Sequence, residues 1–180
     1  MKQLLEDNTT IKLFCDPRSD SDALYHHYRV HLQNVHCVQL AEIAFRRQRF
    51  PRSKYVSGGH RITLEYGDLD EREKTEFLQV DQMGKKTFFP ENGGSYDKLT
   101  KRPLSDLALK YSAMGVVYLL PIYEKLERQL PRAGKVWVKE ESKKRVDECF
   151  QPRYTQGRHR AIAPAHWART SFYHDDDYYY

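Results

Sequence analysis

The pattern of apolar and polar positions over residues 10–79 predicts a compact α/β layer. Apolar and polar residues alternate from Ile11 to Phe14 and stop at Asp16-Pro17, which indicates a strand that enters a turn. Residues 19–22 then offer several N-caps for a helix. Apolar residues recur along this helix at helical spacing, namely Leu24, Tyr28 and Leu32.

The next apolar run fits two structures. Val35, Val38, Ala41 and Phe45 have the spacing of one helical face, and periodicity alone cannot decide so short a run. The β-branched residues of the run, with Asn34 as a breaker before it, favour a strand buried on both faces.

A hairpin and a further strand are predicted after the second strand. Gly58-Gly59 is typical of a hairpin turn, and the residues from Arg61 to Tyr66 alternate between polar and apolar. The acidic run 68–71 then marks the start of a helix, because the positive end of the helix dipole favours carboxylates.

The second half of the chain predicts helices and then irregular structure. An apolar stripe runs over residues 105–130, with a kink or a break near Val117 because Pro121 lacks a backbone donor. Residues 136–138 suit a short extended segment, and 139–150 a mixed-charge helix. Together these patterns divide the chain into four parts. They are a first domain (1–80), a linker (81–102), a helical extension (103–150) and an irregular basic and aromatic tail (151–180).

Three short features of the first part resemble a known family. They are Cys15 at the end of the first strand, Asn34-x-x-Cys37 at the start of the second, and Gly59-His60-Arg61. With the order of elements, they resemble the thioredoxin-like proteins of the mitochondrial ribosome, most closely those of the large subunit. The resemblance implies an α/β fold: a thioredoxin-like domain with a C-terminal helical extension and an irregular tail.

The same resemblance implies a function. It suggests a structural ribosomal component of the mitochondrial matrix, not an enzyme, that contacts mitochondrial rRNA and neighbouring ribosomal proteins. The alternative is an accessory subunit of a respiratory-chain complex, since a similar core occurs there. No cofactor, metal or small-molecule substrate is implied.

Composition narrows these possibilities only slightly. The 180 residues are 39% hydrophobic and 31% charged, and the net charge of +5 with a pI near 9.0 favours a polyanionic partner. Three cysteines without a CxxC pair are typical of a reducing compartment. The longest apolar run, Met114 to Ile122, is too short to span a bilayer.

Two groups of residues could carry chemistry. Cys15 lies where a thioredoxin keeps its redox pair, but a disulfide mechanism needs a second thiol, so only a monothiol enzyme remains as a third hypothesis. The segment 46–54 concentrates cations around one aromatic residue, a composition suited to RNA phosphates and unpaired bases. The predicted RNA contacts are therefore Arg46, Arg47, Arg49, Phe50, Arg52 and Lys54, together with Arg158, Arg160 and Arg169 of the tail.

Overall fold

The computed structural model describes residues 1–151 and 157–168, without the side chains of residues 158, 159 and 168. Its first half contains two short strands among helices. The elements are α1 (Lys2–Glu6), β1 (Lys12–Phe14), α2 (Arg18–Tyr28), β2 (Val35–Cys37), α3 (Val38–Arg49), α4 (Gly59–Tyr66) and α5 (Glu71–Phe88). The second half is helical: α6 (Asp97–Thr100), α7 (Asp106–Met114), α8 (Leu119–Glu127) and α9 (Arg132–Asp147). Single 3-10 turns lie between α5 and α6 at Pro90–Asn92 and after α9 at Glu148–Phe150, Arg158–Ala161 and Ala165–Ala168.

The two strands form a small parallel sheet. Lys12 pairs with Val35 and Phe14 with Cys37, and helix α2 makes the crossover between the strands. Helix α9 covers the outer edge of β2, where the backbone N–H of Cys37 donates to Oγ of Ser142 at 2.9 Å. The predicted strand–turn–helix at the start of the chain is therefore present.

The predicted thioredoxin-like fold is wrong. In the described residues the sheet has only the strands β1 and β2, and helices make up most of the structure. The second strand ends at Cys37, and the apolar run continues as α3, whose residues 38–44 are all buried. The predicted strand over 61–66 is the helix α4, because Ile62 and Tyr66, four residues apart, both pack in the core.

Two helix boundaries also differ from the sequence prediction. Helix α5 begins as predicted, with a capping box between Asp70 and Glu73, but it continues to Phe88 into the predicted linker. Helix α9 includes residues 136–138, which were predicted to be extended. The break near Val117 is confirmed, since α7 ends at Met114 and α8 begins at Leu119.

The main core lies between α3, α4, α8, α9 and the C-terminal segment. Its buried residues include Leu40, Ile43, Ile62, Ile122, Leu126, Val138, Ala163 and Trp167. Because Ala163 and Trp167 belong to it, the described part of the C-terminal tail packs into the core. The division at residues 80, 102 and 150 stays a prediction. Within the described ranges no helix has the length and apolarity needed to cross a membrane.

Candidate nucleic-acid interface

A buried arginine near the end of α3 donates hydrogen bonds to the backbone of the loop that follows this helix. Arg47 is 3% exposed, and its guanidinium donates from Nε and Nη2 to the carbonyl oxygen of Ser53, at 3.0 and 2.8 Å. Its Nη1 donates to the carbonyl of Pro164 at 2.9 Å. Burial lowers the pKa of Arg47, and the charge of Arg46 lowers it further, but the guanidinium retains its proton because its reference pKa is so high. Arg47 is therefore a fixed internal contact.

Arg46 has a similar internal role. Its Nε and Nη2 bind the carboxylate of Glu42 at 2.5 and 3.1 Å, and Nη2 also donates to the carbonyl of Tyr55 at 2.8 Å. Glu42 is fully buried. The hydrogen bonds that Arg46 donates to this carboxylate raise the pKa of Arg46. Both arginines thus fix the backbone of residues 53–55.

The C-terminal segment pairs with the same loop. Tyr55 and Ile162 form an isolated antiparallel bridge, Val56 donates to the carbonyl of Ala161 at 2.9 Å, and Ala163 donates to that of Lys54 at 2.9 Å. The backbone of residues 54–56 is therefore held on two sides, by arginine side chains and by a neighbouring strand-like segment.

The outer side of this loop carries cations and aromatic rings. Phe50 is 56% and Tyr55 is 63% exposed, and Arg49, Arg52 and Lys54 are exposed as well. The guanidinium of Arg49 lies 5.5 Å from the centre of the Phe50 ring. The sequence has no acidic residue between Glu42 and Glu65. We call residues 49–55 the basic–aromatic loop.

The structure separates the predicted RNA contacts into groups. Arg46 and Arg47 are taken up by contacts within the chain, whereas Arg49, Phe50, Arg52 and Lys54 face outward. Arg160 donates to Oγ of Ser19 at 3.2 Å, and Ser19 is far from this loop in sequence. The side chain of Arg158 and the whole of Arg169 lie outside the described residues. Tyr55, an aromatic residue next to Lys54 that the sequence prediction left out, is exposed on the same loop. RNA contact by any of these residues stays a prediction.

A second polar cluster lies at the carboxyl ends of the two strands. Asp16 accepts hydrogen bonds from Nε and Nη2 of Arg18, both at 2.7 Å, and Arg145 lies 3.8 Å from the same carboxylate. Burial alone would raise the pKa of Asp16, but the hydrogen bonds from Arg18 and the charge of Arg145 hold it below its usual value. Arg145 also donates to Oε1 of Gln39 at 2.8 Å.

The thiol of Cys15 lies beside this cluster. Burial, with the nearby Cys37, raises its pKa to about 12. A thiol with so high a pKa is almost entirely protonated at neutral pH, and the thiolate is the reactive form. These surroundings oppose the monothiol redox hypothesis.

Comparison with known proteins identifies a different family from the predicted one. The family described as 3'-5' exonuclease matches residues 1–131. Among solved structures, the chain is similar to RNase D of Trypanosoma brucei, with 21% identity and a TM-score of 0.66, over 96% of this chain and 57% of that one. At this identity the likeness shows the fold alone. No curated protein is similar enough to this chain to count as a match.

These findings overturn the predicted function. The resemblance to thioredoxin-like ribosomal proteins was wrong, and so were the structural ribosomal role, the respiratory alternative, the ribosomal protein partners and the expectation of a non-enzyme. The mitochondrial matrix location depended on that resemblance and stays a prediction. Because the matched residues 1–131 are most of the chain, the chain belongs to the 3'-5' exonuclease family.

Proposed function

We propose that this chain acts in the removal of nucleotides from the 3' end of a nucleic acid. The observation that carries the proposal is the family match over residues 1–131. Each step would hydrolyse the terminal phosphodiester bond, so that one water is consumed and one nucleotide is released. The similar protein from Trypanosoma brucei is named as an RNase, and RNA is therefore the first substrate to test.

The charge of the chain supports a polyanionic substrate. The net charge is +5, and the exposed cations of the basic–aromatic loop lie in a segment without carboxylates. A nucleic acid that approaches such a surface releases condensed counterions, which favours binding at low salt. This supports the substrate class but identifies no catalytic residue.

Nucleases usually catalyse hydrolysis with bound metal ions. Two divalent ions commonly bind the attacking and leaving oxygens, and such ions prefer carboxylate ligands. In residues 1–151 and 157–168, no three His, Cys, Asp or Glu residues are placed together so that they could hold an ion. Asp16 is occupied by Arg18 and Arg145. The described residues do not fit such a centre, and we assign none of them as a ligand.

The experiment is an end-shortening assay with the full chain. A single-stranded RNA labelled at its 5' end is incubated with the protein and Mg²⁺ or Mn²⁺, beside a DNA of the same sequence. We expect products that shorten progressively from the unlabelled end. An RNA with phosphorothioate linkages at the 3' end should resist shortening, and the activity should co-elute with the folded protein in size exclusion.

Two results would contradict the proposal. One is full-length RNA after prolonged incubation at every divalent ion tested, although the protein binds it. The other is cleavage of a circular RNA, which has no 3' end, at the rate seen with the linear one.

A further inference from the structure

The inner contacts of the basic–aromatic loop fix its backbone near residues 53–56 and leave its charged and aromatic side chains exposed. Arg46 and Arg47 supply hydrogen bonds to the carbonyls of Tyr55 and Ser53 from within. The segment 161–163 pairs with the backbone from the side. A backbone fixed in this way loses little further conformational entropy when a partner binds, so the contacts that its side chains make contribute more fully to affinity.

The outer face combines two kinds of recognition. Arg49, Arg52 and Lys54 provide positive charge, and guanidinium groups can bind phosphate oxygens with two hydrogen bonds. Phe50 and Tyr55 expose flat apolar rings to solvent, which the fold itself does not bury. Exposed rings among cations are the combination on which single-stranded nucleic acids bind, because every unpaired base has a face that can stack.

We propose that the basic–aromatic loop is a binding site for single-stranded nucleic acid, with phosphates on Arg49, Arg52 and Lys54 and bases stacked on Phe50 and Tyr55. The identity of the ligand rests on the proposed function, whereas its single-stranded form follows from the exposed rings. A duplex keeps its bases stacked inside the helix and would use only the cations.

The test measures binding separately from hydrolysis. Anisotropy of a 5'-fluorescein oligouridine of twelve nucleotides and of a twelve-base-pair RNA duplex is followed in EDTA. The charge variant is Arg49→Gln, Arg52→Gln, Lys54→Gln, and its matched control is Lys86→Gln, Lys98→Gln, Lys101→Gln, which removes the same charge from exposed lysines elsewhere. The ring variants are Phe50→Ala and Tyr55→Ala.

Each set of variants has its own expected result. The charge variant should bind both probes more weakly, and its salt slope for the single strand should fall by about 2, since each lost phosphate contact removes about 0.7. The control variant should keep most of the parent's salt slope. Each ring variant should bind the single strand about tenfold more weakly, with less than a twofold change on the duplex. The circular dichroism of all variants should match that of the parent.

Two results would overturn the proposal. One is a charge variant that retains the parent's affinity and salt slope. Another is a pair of ring variants with unchanged single-strand affinity, together with displacement of the RNA by polyglutamate. That result would indicate a site for acidic proteins.

The two proposals can fail independently. If the charge variant binds as the parent does while the parent still shortens RNA, the loop is not the site and the exonuclease function stands. If binding depends on the loop but no RNA is shortened, the binding site stands and the exonuclease function fails.

Discussion

Arg47 and Pro164 are 117 residues apart in the chain, and Nη1 of the arginine donates a 2.9 Å hydrogen bond to the proline carbonyl. The same guanidinium donates twice to the carbonyl of Ser53. One buried side chain thus connects the end of α3, the basic–aromatic loop and the C-terminal segment. The dense run of arginines therefore serves two purposes, with some members inside the fold and others on its surface.

Replacing Arg47 by Gln should destabilise the protein clearly. The shorter side chain cannot reach both carbonyls, and each buried acceptor left without a partner costs about 1–3 kcal/mol. We expect a fall of that order in the free energy of unfolding, measured by urea denaturation. The matched control is Arg52→Gln on the exposed part of the same run, which should change stability by less than about 0.5 kcal/mol. Equal stability of the two variants would contradict the internal role of Arg47.

Trp167 should contribute as much to stability as a residue of the central helices. Its side chain is 2% exposed and stacks on Trp137 with ring centres 6.4 Å apart. Trp167→Ala should lower the free energy of unfolding by about 3–5 kcal/mol, as truncation of a large core residue does. Tyr28→Ala is the aromatic control, because Tyr28 is 70% exposed. A loss below about 1 kcal/mol at Trp167 would mean that the C-terminal segment detaches in solution.

The sequence predicted local elements better than their assembly. The strand before Asp16-Pro17, the capped start of α5 and the break near Val117 each depend on neighbouring residues, and all three are present. The strand predicted over 61–66 was wrong because six residues can alternate in polarity and still place Ile62 and Tyr66 on one helical face. The overall fold was wrong for a related reason: a parallel strand pair joined by a helix occurs in many α/β folds.

The candidate interface could be predicted only in part. A cation-rich run around Phe50 was visible in the sequence and lies on the surface. Which arginines turn inward depends on Glu42 and on Pro164, and the second of these partners is distant in the chain. Sequence spacing contains no such information, so Arg46 and Arg47 were grouped with the exposed cations.

His36 should make the fold sensitive to mild acid. Its Nδ1 lies 2.5 Å from Oη of Tyr123, and burial lowers its pKa below the ordinary 6.5, with Lys139 adding to the effect. The unfolded chain therefore binds a proton at a higher pH than the folded one. The contribution of His36 to the free energy of unfolding is fully present above pH 6.5 and is lost as the pH falls through the pKa of the folded state. The free energy of unfolding then changes by at most about 1.4 kcal/mol per pH unit.

The variant His36→Gln isolates this effect. It removes the titrating group while an amide can still hydrogen-bond Tyr123, so the difference in stability between parent and variant should shrink as the pH falls from 7 to 5. Urea denaturation at several pH values measures it. A difference that stays constant with pH would show that His36 titrates alike in the folded and unfolded states.

Gly84 is required by the contact between α5 and α7, and Gly84→Ala should destabilise the protein. A Cβ atom at this position would lie 2.0 Å from Cδ2 and 2.7 Å from Cγ of Tyr111, far inside van der Waals contact. Alanine favours a helix interior over glycine by about 1 kcal/mol, but overpacking of this kind typically costs about 1–3 kcal/mol. We therefore expect a net loss of stability, measured by urea denaturation.

A double-mutant cycle tests the cause of that loss. In a Tyr111→Ala background the ring is gone, so Gly84→Ala should become neutral or stabilising, with a coupling energy of about 0.5–3 kcal/mol. Gly115→Ala is the matched control, because a Cβ atom there would meet only the Ser112 carbonyl, at 3.5 Å. It should be neutral or stabilise by up to about 1 kcal/mol. If Gly84→Ala costs the same with and without the Tyr111 ring, the loss does not arise from this contact, and α5 and α7 do not pack in solution through the glycine as the structure shows.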